Sequence, residues 1–160
     1  MYKQLIVMRR DLNISIGKAC AQASHASMAF LTKMIIDHVV GEVFQGSGDG
    51  QTFMNPTNVY RVEGFDIDKD LYEQWIQGIF TKVVCGAKNK NQLMKAVQMA
   101  EEMGMKEGED FYIIKDCCLT ELEPEEFDEN GVGRTITCIG FVPMEAEKIE
   151  KISKKFQLLK

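Results

Sequence analysis

The sequence contains no long hydrophobic run and no targeting segment. No stretch approaches the roughly 18 to 20 consecutive apolar residues that a membrane-spanning helix needs. The first residues, 1–4, lack the apolar core of a secretory signal peptide. These absences exclude the membrane and secreted classes, so we expect a soluble cytoplasmic protein with no membrane partner.

Cysteine lacks the spacing that metal sites and disulfide frameworks require. The chain has five cysteines, an odd number, and no C-x-x-C pair occurs among Cys20, Cys85, Cys117, Cys118 and Cys138. Reduced thiols, no metal and no other cofactor are therefore predicted. The adjacent Cys117 and Cys118 leave a redox or metal site open as an alternative to small residues at a turn.

Negative charge dominates the composition but not every part of the chain. The net charge is −5, which argues against indiscriminate nucleic-acid binding. Residues 1–33 nevertheless hold five cations against one acid, and the tail after Gly140 holds five lysines against three glutamates. Residues 101–130 contain twelve acids and two lysines. The acidic loop at residues 121–129 should repel phosphate or serve as an interaction surface for a partner.

Hydrophobic periodicity predicts strands that alternate with helices, which indicates a layered α/β domain. Trp75 is expected to anchor the core. The strands are predicted at residues 4–8, 81–85, 111–114 and 135–140, and the helices at residues 17 to about 43, 68–77, 89–103 and 145–153. At 160 residues the chain is long enough for one well-packed domain, 1–160, with an irregular insertion at about 42–67. Gly46, Gly48 and Gly50 within it follow a helix and lack a later Lys-Ser/Thr pair, so they do not form a phosphate-binding loop.

The predicted first helix presents polar chemistry on one face and small side chains elsewhere. At about 100° per residue, Lys18, Gln22 and His25 fall within roughly 60° of one another. The small residues that would allow close packing against a sheet are Ala19, Cys20, Ala23 and Ala26. Asn13 or Ser15 could cap this helix, whose free N–H groups would favour an anion or oxyanion. A capped core helix with a solvated lysine remains an equal alternative.

Three segments resemble the class two peptidyl-tRNA hydrolases. The first is VMRRDL at residues 7–12 followed by GKACAQASHA at residues 17–26. The second is IKDCCLTE at residues 114–121, and the third is GRTITCIG at residues 133–140. Two departures lie close to these motifs. Ser15 and Ile16 stand where the family usually has glycine and lysine, and Cys117-Cys118 replaces the usual Ala-Gly.

The resemblance implies a three-layer α/β/α fold with a four-stranded mixed sheet, often dimeric. It also implies hydrolysis of the ester that joins a peptide to tRNA, a reaction of ribosome rescue. Carried over to this sequence, Lys18 and Thr120 correspond to oxyanion or substrate-positioning groups. Asp116 corresponds to the residue that orients or deprotonates water, and His25 could share that proton. The supporting residues would be Gln22, Ser24, Thr135 and Arg9.

The same residues leave one alternative function open, which is not enzymatic. A protein that kept this fold and lost the reaction would be a binding or regulatory protein, with the acidic loop 121–129 as its interaction surface. Retention of Lys18, Gln22, His25, Asp116 and Thr120 together favours the hydrolase.

Overall fold

Strands and helices alternate along residues 1–46 and 54–159, the part of the chain that the computed structural model describes. The strands are β1 (Tyr2–Arg9), β2 (Val39–Gly46), β3 (Met54–Val62), β4 (Lys82–Ala87), β5 (Phe111–Asp116), β6 (Glu126–Phe127), β7 (Gly133–Phe141), β8 (Met144–Glu145) and β9 (Gln157–Leu158). The helices are α1 (Ile16–Asp37), α2 (Lys90–Glu102) and α3 (Ala146–Ser153), and Leu71–Ile79 forms a π-helical segment. The predicted α/β class is confirmed.

A mixed sheet in the order β5-β7-β1-β4-β9 forms the centre of the larger unit, Met1–Phe30 with Asp68–Lys160. Strand β1 is parallel to β4 and antiparallel to β7, and β5 is antiparallel to β7. The sheet has more than the four strands expected, because the two-residue strands β6, β8 and β9 join the four long ones. Two residues are too few to give an alternating sequence pattern.

The core lies on both faces of this sheet, as alternation along β1 requires. Leu5 and Val7 pack on one face with side chains of α2 and α3, including Leu93 and Ile152. Ile6 and Met8 pack on the other face against the small residues of α1, which are Ala19, Ala23 and Ala26. The three-layer α/β/α arrangement is therefore confirmed within this unit. Trp75 is fully buried, as its predicted core role requires.

Helix α1 approaches the sheet most closely at Gly140 of β7. A Cβ atom on Gly140 would lie 2.1 Å from the carbonyl oxygen of Ala26 and 2.7 Å from its carbonyl carbon. Glycine is required here for space, because the neighbouring atoms belong to the helix backbone and no flexible side chain can yield. The predicted close packing of the small-residue helix face is confirmed.

The second unit, Leu31–Ile67, contains the end of α1 and an antiparallel pair formed by β2 and β3. Helix α1 ends at Asp37 and not near residue 43 as predicted, since the β-branched Val39 and Val40 favour an extended backbone. The region predicted as an irregular insertion thus contains most of β2 and all of β3. Gly46 ends β2, so the glycine run begins after a strand and not after a helix as predicted. Gly48 and Gly50 lie in residues 47–53, outside the described residues.

None of the helices in the described ranges is long and apolar enough to cross a bilayer.

Candidate active site

The start of α1 is fixed by a cap and by the loop that follows β5. The Ser15 hydroxyl accepts a hydrogen bond from the Lys18 N–H at 3.2 Å, which makes Ser15 the capping residue. The Glu121 carboxylate accepts bonds from the Ser15 N–H at 2.7 Å and from the Ser15 hydroxyl at 2.8 Å. Of the two predicted caps, Ser15 is confirmed. The helix start and the loop are held together at the point where Lys18 projects.

Loss of this cap should lower the stability of the fold. We expect Ser15→Ala to lower the free energy of unfolding by about 1 kcal/mol, the usual cost of removing a serine cap. Ser24→Ala is the matched control, because the exposed Ser24 hydroxyl only donates to the Cys20 carbonyl of its own helix, at 2.9 Å. Urea denaturation of the two variants measures the difference. Equal stabilities would contradict the capping role of Ser15.

Asp116, the last residue of β5, receives hydrogen bonds from three directions. Its Oδ2 lies 2.8 Å from the Lys18 ammonium and accepts from the Gln22 amide at 2.7 Å. Its Oδ1 accepts from the backbone N–H of Cys118 at 2.8 Å, which closes a tight turn after the strand. Asp116 is 8% exposed. Oδ1 accepts one bond from the described residues, so a lone pair of this oxygen stays available to a small molecule.

Gln22 is held in one orientation by a residue that sequence reasoning missed. The Thr137 hydroxyl donates to Gln22 Oε1 at 2.6 Å, so the amide NH₂ must point at Asp116. Gln22 is 1% exposed and cannot exchange this partner for bulk water. Thr137 lies two residues from Thr135 on β7, and this period-2 spacing was the signal that both side chains share a face.

The contacts favour opposite charges on Lys18 and Asp116. Burial raises the pKa of the Asp116 carboxyl, but hydrogen bonds from Lys18, Cys118 and Gln22 outweigh it and hold the pKa below its ordinary value of 3.8. The hydrogen bond to Asp116 raises the pKa of the Lys18 ammonium above 10.5, against a smaller lowering by burial. At neutral pH the site therefore contains a carboxylate beside an ammonium.

The two predicted threonines, Thr120 and Thr135, make different contacts at this site. The Thr120 hydroxyl accepts from the Lys18 ammonium at 3.3 Å and is exposed to solvent. Thr135 is 1% exposed, and its hydroxyl donates to the Glu123 carbonyl at 2.7 Å and accepts from the Glu125 N–H at 3.1 Å. Thr135 shapes the loop after β5, whereas Thr120 faces the reacting groups.

Three other predicted residues lie apart from Asp116. His25 is exposed, and none of the contacts found in the described residues joins it to the Asp116 carboxylate. Ser24 is exposed, and its hydroxyl donates to the Cys20 carbonyl of its own helix. Arg9 is 7% exposed and donates to Asp11, Glu125 and the Ile136 carbonyl. The guanidinium of Arg9 thus connects β1 with β7 and the acidic loop.

Several acidic side chains of the loop 121–129 form ion pairs with neighbouring cations. Glu125 lies 2.7 Å from Arg9 and 2.9 Å from Lys90. The other pairs are Glu126 with Lys115 and Asp128 with Arg134, each at 2.7 Å. The repulsion of phosphate expected from the loop's composition is reduced accordingly.

The five cysteines are free, and the described residues hold no group of three His, Cys, Asp or Glu side chains that could bind a metal ion. Cys118 stands in the left-handed region with φ of 54°, and its N–H serves Asp116. Its thiol donates to the Thr135 hydroxyl at 3.4 Å, so both the backbone and the side chain of Cys118 help to hold the turn after β5.

The chain as a whole is similar to known proteins. A family model described as Peptidyl-tRNA hydrolase PTH2 matches residues 2–159. The chain belongs to the peptidyl-tRNA hydrolase family. It is similar to the protein named peptidyl-tRNA hydrolase of Methanopyrus kandleri, with 28% identity over the whole of both chains. A protein of that name from Thermoplasma acidophilum is 26% identical, with 98% of this chain and 97% of the relative covered. A third from Nanoarchaeum equitans is 29% identical, with 99% of each covered.

Membership of the peptidyl-tRNA hydrolase family confirms the resemblance drawn from the three sequence segments. The match also takes in residues 42–67, which had no counterpart in those segments. Family membership and relatives that align over nearly their whole length together support a hydrolase.

Proposed function

We propose that this protein hydrolyses the ester bond of peptidyl-tRNA and releases free tRNA and peptide. The observation that carries the proposal is the ion pair between the half-buried Lys18 and the buried Asp116, 2.8 Å apart, with Gln22 bound to the same carboxylate oxygen. An ester hydrolase needs a group that holds water and a positive group that stabilises the oxyanion. Both are side by side here, and family membership supplies the substrate class.

In the proposed reaction, water attached to Asp116 attacks the ester carbonyl carbon. The carbonyl oxygen becomes negative, and the Lys18 ammonium with the Thr120 hydroxyl stabilises it. The tetrahedral intermediate then collapses, the bond from carbon to the ribose oxygen breaks, and that oxygen takes up a proton. The products are a peptide carboxylate, a free ribose hydroxyl and one proton released to solvent.

Asp116 is better suited to orienting the water than to keeping its proton. Three donors hold its pKa below 3.8, and a carboxylate with so low a pKa is a weak base at pH 7. The same donors fix the carboxylate in place, which favours a single water position. We therefore assign Asp116 the positioning of water, and the proton passes on to solvent or to His25.

The test is release of free tRNA from an N-blocked aminoacyl-tRNA by the purified protein. We expect multiple turnovers without added cofactor. A well-folded protein that binds tRNA and releases none would contradict the proposal, and it would favour a binding protein that acts through loop 121–129.

The pH dependence of the same assay separates Asp116 from His25. Because the Asp116 pKa is lowered, its charged form is present above that pKa and is lost only as pH falls through it, below 3.8. We expect kcat to stay level from pH 8 to pH 5. A fall in kcat within this pH range that disappears in His25→Gln would transfer the base role to His25.

We propose further that the protein acts in the cytoplasm as a single domain and forms a homodimer. Exposed apolar side chains on the β2–β3 pair, among them Val40, Val59 and Tyr60, support self-association. Light scattering after gel filtration gives the molecular mass, and a monomer at micromolar concentration would contradict the dimer.

A further inference from the structure

The carboxyl ends of several strands lie at one edge of the sheet, which is also the edge at which the proposed reacting groups lie. Strands β1, β4 and β5 run in the same direction, so their carboxyl ends share the edge at which Asp116 lies. We call this the carboxyl edge. Arg10 directly follows β1, and its N–H donates to the carbonyl of Ala87, the last residue of β4, at 2.8 Å. Lys88 comes next after β4, and Lys155 lies just before β9, which is antiparallel to β4.

The cations near this edge fall into two groups. Arg9, Lys90, Lys115 and Arg134 are paired with acids of the loop 121–129 or its neighbours. A second group is exposed and has no carboxylate within 4.0 Å among the residues described, namely Arg10, Lys88, Lys95 and Lys155. The unpaired group lies on the β4 and β9 side of the sheet. Among the described cations near this edge, those without a carboxylate partner therefore lie on the β4 and β9 side.

The Arg10 side chain packs directly against Gly86, which has no side chain to displace it. A Cβ atom there would lie 2.5 Å from Arg10 Cδ and 3.0 Å from Arg10 Cγ. The Arg10 stem thus lies flat across β4, at the rim of a groove of about 630 Å³ bordered by Ile16 and Leu159. A guanidinium on a supported stem loses less freedom on binding than a free surface side chain.

Lys95 and Lys155 face one another across a second groove. This groove, about 370 Å³, lies between α2 and the turn after α3, with Gln92 and Phe156 in its wall and the acid Glu102 also in its lining. Lys95 is on the second turn of α2, which starts beside Lys88 at the carboxyl edge. The four cations therefore continue from Arg10 around the β4 side of the sheet.

We infer that Arg10, Lys88, Lys95 and Lys155 form a phosphate track that holds the tRNA backbone and leads its 3′ end to Asp116. The inference rests on the proposed function, because it takes tRNA as the substrate. From β5 to β4 there are three strand spacings, about 14 Å. An RNA strand can span that distance from the β4 side to Asp116, whereas a single free anion bound beside β4 cannot also reach Asp116. RNA is thus the ligand that fits the track.

Charge removal in matched pairs tests the track. The variants are Arg10→Gln with Lys88→Gln, and Lys95→Gln with Lys155→Gln. The control pair is Lys148→Gln with Lys151→Gln. Both lysines are exposed on α3, precede Lys155 in the sequence and also lack a carboxylate within 4.0 Å in the described chain. Each variant is assayed for KM and kcat on N-blocked aminoacyl-tRNA and for binding of uncharged tRNA between 50 and 200 mM salt.

We expect each track pair to raise KM and Kd, with the effect on binding and not on kcat. The plot of log K against log salt should become shallower by about 0.7 to 0.9 for each lost phosphate contact. Track pairs that behave like the control pair, or like the wild type, would overturn the inference. If the wild type hydrolyses nothing, the proposed function fails, and the salt slopes for uncharged tRNA still decide whether the track exists.

Discussion

Alanine at Asp116 is expected to lower the hydrolysis of an N-blocked aminoacyl-tRNA by about 100-fold, and alanine at Lys18 by a similar factor. These are typical losses when a positioned water-binding group or an oxyanion donor is removed. In the wild type the two groups lie 2.8 Å apart and are fixed by Gln22 and Cys118. The measurement is single-turnover release of tRNA at saturating enzyme, which separates chemistry from binding.

Controls must separate catalysis from stability, since removal of Lys18 leaves the charge of the buried Asp116 without its ionic partner. Lys115→Ala is the matched control, because Lys115 adjoins Asp116 in sequence but its side chain is 47% exposed and pairs with Glu126 at the surface. We expect this variant to stay within about twofold of wild type, as exposed pairs contribute little. Near-normal turnover in both Asp116→Ala and Lys18→Ala, with folding intact, would refute the site assignment.

Among the described glycines, Gly140 is the one at which an added methyl group should reduce stability most. The added Cβ would lie 2.1 Å from the Ala26 carbonyl oxygen, so α1 must move away from β7. We expect a loss of about 3 kcal/mol or more in unfolding free energy, the upper range for overpacking. Activity should fall with it, since α1 carries Lys18 and Gln22.

Two further variants test whether the loss at Gly140 comes from the clash with the α1 backbone. Gly17→Ala also adds a methyl group, but its nearest neighbour would be the Ser15 hydroxyl at 3.9 Å, so we expect no loss of stability. Ala26→Gly combined with Gly140→Ala should not restore the fold, because the clash is with the backbone of residue 26. Thermal unfolding monitored by circular dichroism compares the set. Rescue by Ala26→Gly would show that side chains and not backbone set the spacing.

Periodicity predicted the elements well where one face of each was buried. The small-residue face of α1 and the central strands follow from local pattern alone, and so does Trp75 in the core. The end of α1 was missed because Val39 and Val40 continue the apolar run while changing the backbone preference. Helix and strand cannot be told apart by hydrophobicity at such a boundary.

The site was only partly predictable because its contacts join distant segments. Spacing placed Lys18, Gln22 and His25 on one face, but three residues beyond Gln22 the helix has risen about 4.5 Å further, and His25 is exposed. Asp116 came from family resemblance and not from geometry. The pairing of Lys90 with Glu125 and the Thr137 contact to Gln22 depend on tertiary packing, so no local pattern contains them.

The Gln22 amide also sets the moment at which this protein becomes active during its own synthesis. Its partners Asp116 and Thr137 lie 94 and 115 residues later in the chain. Because the site needs β5 and β7, an incomplete chain that ends before residue 133 contains Lys18 and Gln22 but not the whole site. The long sequence separation therefore means that the site can assemble only after most of the chain has been synthesised.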